Sequence, residues 1–216
     1  MARQYRGCSR LYYATYTVDK DTGAITFGTP TKLCEVKNIS REISSENEEV
    51  WADNKLQDTT YGGTSVTRTF GCMRIDPAIE ATLLGKSTYT EGGKTFYGTA
   101  PDGSSRPYVA IGYALHDGDV NNPCEVVWGF KAIVNSISQT ANTIDRGTGS
   151  EGQELNVTFS APDTVWTKTN KNELDIAMPV TSADKALVEK WFAKVVTYDN
   201  IATTLGLTGS GSGSGS

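Results

Sequence analysis

The chain has 216 residues and a mass of 23.3 kDa, room for one large all-β domain or two small domains at the usual ~100–200 residues per domain. Hydrophobic residues make up 38% and charged residues 21%, which excludes a disordered or membrane-type composition. Twenty Lys and Arg against twenty-five Asp and Glu leave a net charge of -5, the wrong sign for holding DNA by neutralising its phosphates.

The N-terminal stretch MARQYRGCSRLYYATYTVDK carries Arg3, Arg6 and Arg10 but no apolar run of about 7–15 residues, so a secretory signal is not expected. No segment approaches the roughly 18 continuous apolar residues of a membrane-spanning helix, and a soluble cytoplasmic chain is the expectation. Cys8, Cys34, Cys72 and Cys124 are scattered without a CxxC pair, which predicts free thiols packed as small hydrophobes. The N-x-[ST] sequons at Asn38 and Asn156 carry no weight without secretion.

Taken along the chain, β-branched and aromatic residues cluster in short runs bounded by Gly, Pro, Asp and Asn. Leu11 to Val18, the turn DKDTG and Ala24 to Phe27 read as a hairpin, and a strand follows at Leu33 to Val36. Further strands are expected at Val66 to Ile75, Val109 to Leu115, Val126 to Val134, Leu155 to Phe159 and Leu174 to Met178. In DPAIEATLLG, Asp76 suits an N-cap, Pro77 the first helical position and Gly85 the left-handed C-terminal position, so a short helix interrupts the strands. A second helix is expected over Thr181 to Thr197. It opens on the capping-box-like TSAD, and Leu187, Val188, Trp191, Phe192 and Val195 recur on one face as a core stripe packed on a sheet. From Gly209 the sequence is GSGSGSGS, an appended flexible linker rather than a native terminus, which leaves residues 1–208 as a single domain and 209–216 outside it.

Catalytic chemistry finds little to build on. His116, the only histidine, lies in LHDGDVNN, where Asp117, Gly118, Asp119, Asn121 and Asn122 miss the order of a calcium loop and read as an ordinary turn. Gly147, Gly149 and Gly152 satisfy G-x-G-x-x-G, but a polar segment precedes them and an alternating strand follows, so no helix start faces a pyrophosphate. Glu48 and Glu49 are adjacent, and adjacent side chains on a strand point to opposite faces. No enzyme, metal or cofactor is expected. The feature most in need of a role is Ser40 to Gly63, with Glu42, Glu46, Glu48, Glu49, Asp53 and Asp58 against Arg41 and Lys55. It reads either as a solvated hairpin or loop, or as an assembly arm or the lining of an anionic channel.

RLYYATYT, ITFGTPTKLCEVKNISREIS, the acidic stretch ending EVWADNKLQDTTYGGTSVTRTF and the short helix ending LLG are followed by VAIGYALHDGD and CEVVWGFKAIVNSIS, with aromatics at Trp128 and Phe130. Together, over about Cys8 to Thr197, they resemble the siphophage major tail protein (tail-tube protein) family. Thr88 to Arg106 has no clear counterpart. The resemblance implies a mainly β fold, a β-sandwich or small barrel with one flanking α-helix, a short second helix and an extended loop or hairpin arm for assembly. It also implies a structural virion protein whose six-copy rings stack into the tail tube that DNA traverses on ejection. The partners implied are further copies of the chain and the tape measure, terminator and baseplate or tip proteins. The place implied is the virion tail, assembled in the host cytoplasm.

Bottom-up, a pore for duplex DNA needs a barrel larger than the 16–18 strands of a porin, more than one chain of this size supplies, so several copies must share it. An anionic wall would keep the duplex unbound. Within the acidic stretch, Glu46 and Glu48 are expected to face the lumen, and Trp51, Ala52, Asp53, Asn54 and Tyr61 to make assembly contacts. The alternative is an Ig-like β-sandwich that decorates a virion or binds glycans through Tyr89, Phe96, Tyr97 and Tyr108.

Overall fold

The computed structural model describes residues 4–52, 55–99, 106–140 and 152–207. It is mainly β, as expected. The strands are β1 (Gly7–Val18), β2 (Ile25–Phe27), β3 (Thr31–Cys34), β4 (Val36–Ala52), β5 (Lys55–Cys72), β6 (Ser87–Glu91), β7 (Lys94–Gly98), β8 (Val109–His116), β9 (Glu125–Gln139), β10 (Gln153–Phe159) and β11 (Asp175–Pro179). The helices are α1 (Pro77–Leu84), α2 (Lys185–Ala193) and α3 (Ile201–Leu205).

The large antiparallel sheet runs β2-β1-β8-β9-β10-β5-β4, with β3 also on β1 and β11 also on β9. The segment from Thr31 onward touches both edges of this path. Its first part pairs with β1 (Leu11 opposite Cys34) and, after Glu35, its second part pairs with β5 (Val36 opposite Cys72). The sheet therefore curls into a small barrel. Its interior is filled by Leu11, Leu33, Val66, Phe70, Ile111, Val134, Leu155 and Phe159, with Leu83 of α1 joining them. The outer face of β1, β8 and β9 carries a second apolar layer, Ala14, Ala110, Ala114, Val126, Trp128 and Phe130, covered by Trp166, α2 and α3. β8 is buried almost throughout because both of its faces are covered, which explains the near-continuous apolar run VAIGYAL.

Local chemistry explains several elements. Asp19 Oδ1 accepts from the N–H groups of Asp21 and Thr22, and Gly23 takes φ +69°, closing the β1–β2 hairpin. Asp76 caps α1 by accepting from Ala78 N at 2.8 Å, and Gly85 ends it at φ +62°. Between β6 and β7, Gly92 and Gly93 both take positive φ, so part of Thr88 to Arg106 is a tight hairpin.

Two expectations are corrected. Cys34 and Cys72 are joined by a disulfide, where free thiols were expected; sequence spacing hid it because the two meet only when β3 and β5 close the barrel seam. The helix expected over Thr181 to Thr197 is shorter: a 3-10 turn at Ser182–Asp184 leads into α2, which stops at Ala193, with Lys194 already extended. Val195 is buried as expected but lies beyond the helix, where the β-branched run Val195, Val196 and Thr197 favours extended backbone. The TSAD start does cap: the Asp184 carboxylate accepts from the Thr181 N–H and hydroxyl, each at 2.8 Å. Val188, Trp191 and Phe192 form the buried stripe, and Leu187 packs against it half-buried.

Candidate assembly arm

Ser40 to Gly63 forms most of the hairpin made by the two longest strands, β4 and β5. Beside β5, β10 pairs only over Val66–Cys72. From Ser44 opposite Ser65 to Ala52 opposite Lys55, β4 and β5 have only each other among the described residues. At ~3.3 Å per residue, this two-stranded arm extends about 30 Å beyond the barrel. Its base is wet: Arg41 to Ser45 are exposed, and Ile43 is 57% exposed. Thr59, Thr60, Thr64, Val66, Thr67 and Thr69 supply the β-propensity.

The register manages the acidic charge. Glu48 lies opposite Thr60, Glu49 opposite Thr59 and Asp58 opposite Val50, so these acids do not confront each other across the ladder. Register shifts fall between Ser45 and Asn47 and between Val50 and Trp51, the kind of irregularity that adds twist and blunts an exposed edge. Glu46 and Glu48 therefore stand two apart on an arm strand, and Trp51 and Ala52 stand near its end with Tyr61 opposite Asn47. Asp53 and Asn54 lie outside the described residues, as do the side-chain directions of Glu46, Glu48, Trp51, Ala52 and Tyr61.

The arm is anchored by a residue that the sequence reading missed. Arg68, two residues past the point where β5 joins the barrel, is fully buried. It pairs with Asp175 of β11, and its guanidinium lies over the rings of Phe159 at 4.4 Å and Tyr113 at 5.3 Å. Gly129 leaves the space, since a Cβ there would meet Phe159 at 2.1 Å and Arg68 Nη1 at 2.8 Å. The signal was present: Val66, Arg68, Phe70 and Cys72 share one parity, and three of the four are apolar. On the opposite layer, Trp128 Nε1 donates to the Trp191 carbonyl at 2.8 Å, tying the sheet to α2.

The other sequence candidates resolve into structure. His116 ends β8 buried, with Nε2 at 2.7 Å from Ser9 Oγ and Nδ1 at 2.7 Å from the Asp119 carbonyl. Asp119 accepts from the Asn122 side chain and the Asn121 N–H, bonds that hold its carboxyl below the usual range and fix an Asx-type turn. No group of three or more metal-ligating side chains forms among the described residues. Gly147 and Gly149 lie outside the described residues, while Gly152 packs against the Cys72 carbonyl, where a Cβ would come within 2.2 Å. Tyr89 and Phe96 are cross-strand partners on the β6–β7 hairpin, 62% and 56% exposed. Tyr97 and Tyr108 are also exposed, the latter with Lys131 Nζ 4.7 Å from its ring.

No family model matches the chain, and no curated protein matches it. Among solved structures it is similar to the tube-terminating cap of the anti-feeding prophage, with 9% identity, a TM-score of 0.42, and coverage of 83% of this chain and 95% of that one. It is also similar to a chain of the PVC sheath-tube complex of an extracellular contractile injection system in the extended state (10% identity, 80% and 90% coverage, TM-score 0.36). A third match is a chain of the anti-feeding prophage baseplate (10% identity, 84% and 99% coverage, TM-score 0.32). These TM-scores lie under 0.5 and carry no functional argument.

Proposed function

We propose that the chain is a structural subunit of a phage tail that assembles with copies of itself into stacked rings, six subunits each, forming a tube through which DNA passes. The carrying observation is the β4–β5 arm. A two-stranded ribbon is marginal by itself in water, yet β4 and β5 extend well past their last neighbouring strand. A partner surface supplies the missing burial, and another copy of the chain meets that need in a closed ring. The sequence resemblance to tail-tube proteins supports the same reading. Within it, Trp51, Ala52, Asp53, Asn54 and Tyr61 contact the neighbouring subunit, and Glu46 and Glu48 face the lumen, where like charge keeps DNA from sticking. The tape measure, terminator and baseplate or tip proteins are the further partners. No catalytic step belongs to this role.

Negative-stain microscopy of the concentrated protein tests it: rings or tubes are expected, and a field of compact monomers contradicts it. The exposed Tyr89 and Phe96 pair favours one other reading, a decoration module that stacks these rings on glycans. Monomers retained on a glycan array would favour that alternative.

A further inference from the structure

The barrel is weakest where it closes. β3 meets β1 over three residue pairs, Leu11 with Cys34, Tyr12 with Lys32 and Tyr13 with Thr31, and the register shifts within them, whereas β10 meets β5 over seven pairs without a shift. Thr31 and Lys32 are exposed, and Arg10, directly before Leu11, takes φ +57°, a left-handed conformation unfavourable for a residue with a side chain. So short a ladder, half of it wet, belongs at the low end of local stability.

One covalent bond crosses this seam. Cys34 ends β3 and is joined to Cys72, which ends β5 opposite Val36 on one side and Gln153 on the other. Because β4 and β10 hold Cys72 in the sheet, the bond pins Cys34 beside Leu11. Without it, residues 31–35 are free to swing about Val36, which would wet the buried Leu11 and Leu33 and bare an edge of β1. Cys34 and Cys72 are themselves buried, so a reductant reaches the bond only as the seam lifts. We propose that Cys34–Cys72 is a redox clasp: oxidised, it holds the barrel shut; reduced, it lets Thr31–Cys34 leave β1 while β9, β10 and β5 stay paired. The reductant is a dithiol. One of its thiolates attacks a disulfide sulfur, its second thiol resolves the mixed disulfide, and it leaves as its own disulfide with two electrons passed and one proton left on each cysteine. The clasp belongs to the barrel and does not depend on assembly.

Hydrogen exchange of the dilute full chain, read by mass spectrometry with and without dithiothreitol, tests this. Cys8 and Cys124 are free thiols in both states, so the Cys34–Cys72 bond is the difference between them. On reduction, the amides of Thr31–Cys34 and of Leu11 to Tyr13 should exchange at least about ten-fold faster, a modest share of what a cross-link contributes, while Leu155 to Phe159 keep their protection. Oxidised glutathione should restore slow exchange. The double variant Cys34→Ala/Cys72→Ala should exchange as the reduced chain does, with or without dithiothreitol. The proposal is overturned if dithiothreitol leaves the bond intact in native buffer, if exchange at the seam is equal in both states, or if reduction strips protection from Leu155 to Phe159 as well, which would make the bond a staple of the whole fold. Should the double variant fail to fold, the natural chain, reduced and reoxidised, decides alone.

Discussion

At the residue scale, the two largest commitments of the fold are a buried cation and a buried indole. Among the described residues Arg68 has one charged partner, Asp175, and its Nε and Nη1 have no hydrogen-bond acceptor, so the ion pair and the rings of Phe159 and Tyr113 are what compensate its burial. Asp175→Ala should cost about 3 kcal/mol, the low end for a broken buried pair because Asp175 is itself one-third exposed. The double variant Arg68→Met/Asp175→Ala should recover most of the loss in urea unfolding, since it removes the stranded charge as well as its partner. A double variant no more stable than Asp175→Ala would show that the pair matters for some other reason. Trp191 is fully buried in the apolar layer that also holds Trp128 and Phe192, and Trp191→Ala should lower stability by about 3–5 kcal/mol, read from the same unfolding midpoints. Arg68 was readable from strand parity, whereas the partner in β11 lies 107 residues away, and no local pattern announces it.

At the scale of elements, sequence served best where short-range chemistry decides the backbone. Asp76, Pro77 and Gly85 bound α1 because cap, fixed φ and left-handed exit are properties of single residues. Glu91-Gly92-Gly93-Lys94 carries the same kind of signature, two glycines between alternating runs, and the structure makes it a hairpin that the sequence analysis does not name. The end of α2 was misjudged because apolar spacing continues through Val195 while the backbone does not. Ser40 to Gly63 reads in sequence as a solvated hairpin or loop, or as an assembly arm or channel lining; its pairing is that of a hairpin, while pairing across a turn, which separates hairpin from loop, is not encoded in composition. The Cys34–Cys72 bond belongs to the same long-range class, and intact-mass alkylation should label two thiols before reduction and four after. Four labels without reductant would contradict it. The arm beyond Ser44 should exchange its amides quickly in the free subunit and slowly in the assembled form, because two strands alone give little protection. Equal, strong protection in both states would remove the need for a partner.

At the scale of the whole molecule, a small barrel with both faces of its central strand covered is complete in itself, and the arm is what it holds out. On the proposed function that division separates folding from assembly: the interior and the α2 layer set stability, while the arm, where Glu48, Glu49 and Asp58 sit opposite neutral residues, would set what the chain meets. If Glu46 and Glu48 face a lumen, reversing both to Lys should leave assembly intact and make the tubes retain DNA at low salt and release it at high salt. Reversed tubes that bind DNA no better than the natural sequence would take these two residues off the inner wall.

The most direct measurement is sedimentation velocity of a variant in which a two-residue Asn-Gly turn replaces Glu46 to Gly63, joining Ser45 to Thr64, partners in the natural ladder. The barrel and its melting temperature should be unchanged while the natural chain forms rings or longer species and the shortened one stays a monomer. A shortened chain that assembles as the natural one does would contradict the account, because the arm would then be ornament and the subunit contact would lie elsewhere.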